Sequence, residues 1–208
     1  MPQYQGVNET HPIWVGADPG GRGAFGVAVM KEGHDPQSAL LDCASEAIAF
    51  IRENLAGVPS GVGVDAPLWW SSGLSSDRHA DQWLRKRYSL SGGQVQAANS
   101  LRGAALVQAA MFVQCIREVF PVVPVTEVHP KALLKVVANG SWKAFSKRYR
   151  VRGTPAADHT RDAIIAAIAA REGVCGRWPH DLASTRLLGE QDPLAYWLAP
   201  VHYYWPEL

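Results

Sequence analysis

The chain has 208 residues, enough for one domain with a substantial core. Apolar residues make up 47% and charged residues 19%, which excludes disordered and fibrous classes. Twenty Lys and Arg against 19 Asp and Glu give a net charge of +1, which excludes a uniformly basic nucleic-acid coat and an acidic tail protein; any nucleic-acid role must rest on a local basic patch.

Residues 1–12 are polar and read as a loose arm, leaving 13–208 as one domain with an aromatic tail. Ile13–Ala17 reads as a strand ending at Asp18. The glycines of Asp18-Pro-Gly-Gly-Arg-Gly supply turn chemistry before a second strand at Ala24–Met30, so the chain opens on a β-hairpin. Ala47, Ile48, Ile51 and Leu55 recur at helical spacing over 44–55. Gly61–Val64 is a short buried strand closed by Asp65-Ala-Pro. Residues 71–76 form a Ser/Gly loop, 77–87 a short basic helix and 89–100 a polar, glycine-bearing loop. The longest helical stretch, 101–120, stops at Pro121. Val122–Val128 is another strand, with Glu127 near its end, and 130–137 a helical turn opened by Pro130. The basic stretch 143–152 carries no clear period. An alanine-rich helix runs from Asp158 to Arg171, with Gly173 as its stop signal. Trp197, Tyr203, Tyr204 and Trp205 make an aromatic tail expected to fold back over apolar surface. Strands interleaved with helices predict an α/β layer architecture, and the opening hairpin makes its sheet mixed.

The informative pattern is where the acids fall. Asp18, Asp65 and Glu127 each end a strand, and α/β sheets gather ligands at strand carboxyl ends. Asp158 and Asp162, four apart, share one face of the last helix. The three strand-end acids and a helix acid are expected to form an oxygen-rich pocket suited to Mg²⁺ or Mn²⁺, hard cations that take carboxylate ligands. Clustered carboxylates raise one another's pKa, and a divalent cation offsets the repulsion. Two such ions about 3.5–4 Å apart would activate a water and stabilise the leaving oxygen of a phosphodiester. Each acid also has a plainer reading. Asp18 can initiate a turn and Asp65 can cap a strand end; Glu127 can face solvent, and Asp158 can complement the helix dipole.

GADPGGRGAFGVAV resembles the opening hairpin of ribonuclease-H-like proteins. GVGVDAPLWW, RHADQWLR, VTEVHPKALL and DHTRDAIIAA, in that order between Ile13 and Ala170, resemble the predicted RNase-H-like nuclease family DUF429. The matching positions are Asp18, Asp65, Arg78 with Asp81 and Arg85, Glu127 with Pro130, and Asp162 with Ala163. The resemblance implies a ribonuclease-H-like mixed sheet with an opening hairpin and flanking helices. It also implies a metal-dependent nuclease using Asp18, Asp65, Glu127 and Asp162. The family often shows His-Asp-x-x-Asp-Ala before the last helix, where this chain has Asp158-His159-Thr160-Arg161-Asp162-Ala163; the fourth ligand therefore stays open between Asp158 and Asp162.

Arg78, Arg85 and Lys147 are the candidate phosphate contacts, drawn from basic groups at 78–87 and 143–152 that can equally be solvated surface. Trp69 and Trp70 can stack on a base or pack in the core. His129 and His159 can act as general acids, orient water or be held structurally. Three widely spaced cysteines suggest a reducing compartment, and the longest apolar run, 163–170, is too short to span a bilayer, so a cytoplasmic protein without membrane partners is expected. No Walker, Gly-x-Ser-x-Gly or His-Glu-x-x-His motif occurs. Two other readings remain: a phosphotransferase of the actin and sugar-kinase superfamily, whose sheet also opens on an Asp-Gly-rich hairpin, and a non-catalytic binding protein that keeps the fold.

Overall fold

The computed structural model describes residues 11–55, 57–73, 77–96 and 103–207. The expected arm lies almost wholly outside them, as do parts of the loops at 71–76 and 89–100.

A six-stranded mixed sheet runs in the order β3-β2-β1-β4-β5-β7. The hairpin is β1 (Ile13–Asp18) and β2 (Phe25–Lys31), and β2 pairs on its far side with β3 (Gln37–Leu41), also antiparallel. Beyond β1 the pairing turns parallel through β4 (Gly61–Val64), β5 (Val125–Glu127) and β7 (Val201–His202). Antiparallel β3-β2-β1 continued by parallel β4 and β5 is the ribonuclease-H-like arrangement implied by the opening hairpin. Helices α1 (Ala44–Asn54), α2 (His79–Tyr88), α3 (Gly103–Val119), α4 (Pro130–Ala138), α5 (Trp142–Arg148) and α6 (Asp158–Val174) flank it. A small ribbon of β6 (His180–Asp181) and β8 (Tyr204–Trp205) is formed by the tail, where Tyr203 and Trp205 are wholly enclosed.

β1 is buried along its whole length, because helices cover both faces of the sheet; its sequence is a continuous apolar run, not an alternating one. On one face lies α6. Gly16, Gly26 and Gly63 point at it, and a Cβ on any of them would come within 1.9–2.1 Å of a backbone oxygen of Ala163, His159 or Ala166. The bare strands therefore let α6 lie directly on the sheet, and its alanines fill the shallow space. Residue 25, one step along the strand, points the opposite way, and Phe25 packs against Phe112 of α3 with ring centroids 5.8 Å apart.

Several elements differ from the sequence expectation. β3 was not expected; its exposed and half-buried residues lack a clean period. α5 resolves the basic stretch, with Ser141 capping its start. Gly173 does not stop α6 but lies inside it, where a Cβ would meet the Tyr204 ring at 2.1 Å; it makes room for the tail.

Candidate metal centre

Strand alternation decides which acids meet. Asp18 lies two residues after Gly16 and Asp65 two after Gly63, so both carboxylates project from the face that carries α6. Gly16 and Gly63 are themselves paired across β1 and β4. Asp162 comes one helical residue before Ala163, whose carbonyl presses on Gly16. Asp18, Asp65 and Asp162 each offer an oxygen within 4.8 Å of the other two. Of the two helix acids, Asp162 joins this group, and its side chain is 2% exposed; Asp158 is 80% exposed and ion-paired with Arg161.

Asp18 and Asp65 open into a cavity of about 450 Å³, also lined by Gly20, Gln94, Gln96, Lys131 and His159. Asp162 is enclosed behind them. Burial pushes the Asp65 carboxyl well above the ordinary range, and Asp18 and Asp162 push it further. Burial likewise raises Asp162 to about 6, although Arg161 donates to it at 2.9 Å. Asp18 is raised by burial against the pull of His159, whose Nδ1 lies 2.7 Å from Asp18 Oδ2. That hydrogen bond raises His159 in turn. No hydrogen bond reaches the Asp65 carboxylate from any described residue. Three crowded acids, two of them facing a cavity and one without a hydrogen bond from any described residue, fit a divalent cation, the donor set being all oxygen.

Glu127 goes elsewhere. It pairs with Val64, not with Asp65, and so projects from the opposite face of the sheet. There Arg78, fully enclosed, donates to Glu127 Oε1 and Oε2 at 2.6 and 2.7 Å and to Asp81 Oδ1 and Oδ2 at 2.7 and 2.8 Å. Burial works against the Arg78 charge, but the two carboxylates more than offset it. Glu127 Oε2 also accepts the Leu68 N–H at 2.8 Å; Arg78 donates to the Trp69 carbonyl and lies 4.2 Å from the Trp69 ring centroid. This buried group thus grips the chain three and four residues after Asp65. Glu127, expected in the metal set, instead holds the loop that follows Asp65. Arg78, expected at substrate phosphate, is sealed in the core, and Trp69 is core with it.

The other candidates separate in the same way. Arg85 pairs with Asp77 at 2.6 Å and donates to the Val95 carbonyl, which commits it within the chain. Lys147, exposed on α5, does not line the carboxylate cavity. α5 ends beside the far end of α6, where Arg171 donates to the Tyr149 carbonyl. His129 is held by Tyr203, whose hydroxyl lies 2.6 Å from its Nδ1; burial lowers it to about 4, so the ring is neutral beside the phenol. Besides Arg161, a cation that faces the acids from the cavity is Lys131, exposed, which pulls all three carboxyls downward. Its signal was available: it stands in the first turn of α4, just past the end of β5.

No family model matches the chain, and no curated protein matches it. Among solved structures the chain is similar to RuvC of Thermus thermophilus at 18% identity and a TM-score of 0.35, over 79% of this chain and 95% of that one. The strand order and directions, not that likeness, identify the sheet as ribonuclease-H-like.

Proposed function

We propose that this protein is a divalent-cation-dependent phosphodiester hydrolase acting on nucleic acid, as the resemblance to the RNase-H-like DUF429 nucleases implies. The observation that carries the reading is the meeting of Asp18, Asp65 and Asp162, the first two opening into one cavity. These three carboxylates hold Mg²⁺ or Mn²⁺, which supplies charge stabilisation at a phosphoryl oxygen and a more acidic water. Asp18 is kept in place by His159, and Asp162 by Arg161. Lys131 brings an ammonium to the cavity mouth, where it positions a backbone phosphate. The Arg78 group fixes the chain after Asp65 and so fixes the direction of that ligand.

The test is cleavage of end-labelled RNA, duplex DNA and branched DNA with Mn²⁺, Mg²⁺ or chelator. Cleavage is expected only with the cation, and Asp65→Asn is expected to reduce it at least about 100-fold while keeping its circular-dichroism spectrum. Cleavage that survives Asp65→Asn or chelator removes the reading. Calorimetric binding of ATP without any cleavage would favour the phosphotransferase.

A further inference from the structure

A second cavity, of about 670 Å³, opens where β1 begins and α6 ends. It is remote from the acids: Arg171, on its wall, follows Asp162 by nine helical positions, about 13 Å along the axis. Its lining carries six cations, Lys31, Arg148, Arg150, Arg152, Arg171 and Arg177, against the acids Glu32 and Glu172. Glu172 accepts from both Arg171 and Arg177, at 2.6–3.0 Å, so one carboxylate serves two guanidiniums. Arg171 also donates to the Tyr149 carbonyl and ties α6 to the end of α5. That end of a helix attracts cations, which accounts for Arg171. It does not account for Lys31, Arg150 and Arg152, which come from other segments and have no ion pair with any described residue.

The backbone singles out Arg150. After α5 the chain turns through a left-handed residue, with the Val151 N–H donating to the Ser146 carbonyl. Such positions ordinarily take Gly or Asn. Here the residue is Arg, with φ at 55°, a conformation that costs a side chain about 1 kcal/mol. Arg150 and Arg152 both line the wall of the cavity.

We propose that this cavity binds a small phosphorylated ligand, with Arg150 and Arg152 gripping linked phosphate groups over the floor made by Arg171, Glu172 and Arg177. The excess of positive charge within a concave wall sets the sign of the ligand. The planar forks match phosphate oxygens in pairs. The volume lies in the range of small-molecule sites, and Trp14, Met30 and Val151 supply apolar wall beside the charge. The site is independent of the metal reading, since none of its residues touches the carboxylate cavity.

The test is titration calorimetry of the full chain with pyrophosphate and ADP in chelator, which keeps the carboxylates out of play. Binding is expected for wild type and for Asp65→Asn. It is expected to weaken about tenfold or more in Arg150→Gly and in Arg152→Ala. Arg150→Gly relieves the left-handed strain, so the variant should unfold at the same temperature as wild type or higher without ligand. A loss of binding therefore reports the side chain, not the fold. The proposal is overturned if neither probe binds, if both variants keep wild-type affinity, or if only a DNA or RNA oligomer binds.

Discussion

Asp65 and Glu127 end neighbouring parallel strands, yet the sheet sends them to opposite faces and to opposite fates. On the α6 side, Asp18, Asp65 and Asp162 crowd together, the first two open into a cavity, and among the described residues no guanidinium is shared by all three. On the other side, Glu127 and Asp81 share Arg78, with both charges answered inside the core. Both groups are cages of carboxylate oxygen, and His129 even gives the second a nitrogen within the same spacing. What separates them is the cation already supplied by the chain. Arg78 answers both acids of the second group, whereas among the described residues Arg161 bonds Asp162 but neither Asp18 nor Asp65, and the crowded charge there is left to be neutralised from outside.

Removing the internal cation should break this contrast most severely. Arg78→Met leaves two enclosed carboxylates unanswered and is expected to cost about 3–5 kcal/mol in denaturant unfolding. Adding Asp81→Leu and Glu127→Leu should recover much of it, because the charges then leave together. If Arg78→Met unfolds like wild type, the buried group does not hold the core.

The open cage should show its strain as a pH dependence. Asp162, raised by burial to about 6 from 3.8, holds its proton more tightly folded than unfolded. In chelator, the contribution of this residue to stability is therefore fully present below about pH 4 and is lost as pH rises through about 6, by up to about 3 kcal/mol. Raised Asp65 acts in the same direction. Saturating Mn²⁺ at neutral pH should restore stability, since the ion binds the deprotonated folded state. A flat pH profile without metal would remove the electrostatic case for the site.

Asp65→Asn takes one like charge from the crowd. In chelator at pH 7 it is expected to stabilise the fold by about 1 kcal/mol, the reverse of its effect on cleavage. Asp158→Asn is the mildest change. Its carboxylate is exposed and pairs only with Arg161, so stability should move by less than about 0.5 kcal/mol and cleavage should persist. Loss of cleavage there would return Asp158 to the ligand set.

The sequence made the strand ends and the acids upon them legible, because apolar runs stopped by Asp-Pro and Asp-Ala-Pro are strong local signals. It did not reveal the face each acid takes. That depends on register between strands separated by helices, and a shift of one residue reverses the face. Hence Glu127 read like Asp65, although it pairs with Val64. Arg78 read as a surface cation because nothing local announces that Glu127, 49 positions on, will enclose it. The choice of Asp162 over Asp158 was nearer to legible, since Asp162 adjoins the alanine run that becomes the buried side of α6. β3 and the tail ribbon escaped because short strands take their order from partners distant in the chain.

Gly16, Gly26 and Gly63 carry no functional group, yet they calibrate the chemistry. Their missing side chains set how far the helix bearing Asp162 stands from the strands bearing Asp18 and Asp65. A single methyl at residue 16 would act as a shim and carry the Asp162 carboxylate away from the other two without any acid being replaced. Selection for metal affinity would then be felt at positions that own no oxygen donor at all. Retuning the centre for a larger ion would begin with these three hydrogens rather than with the carboxylates.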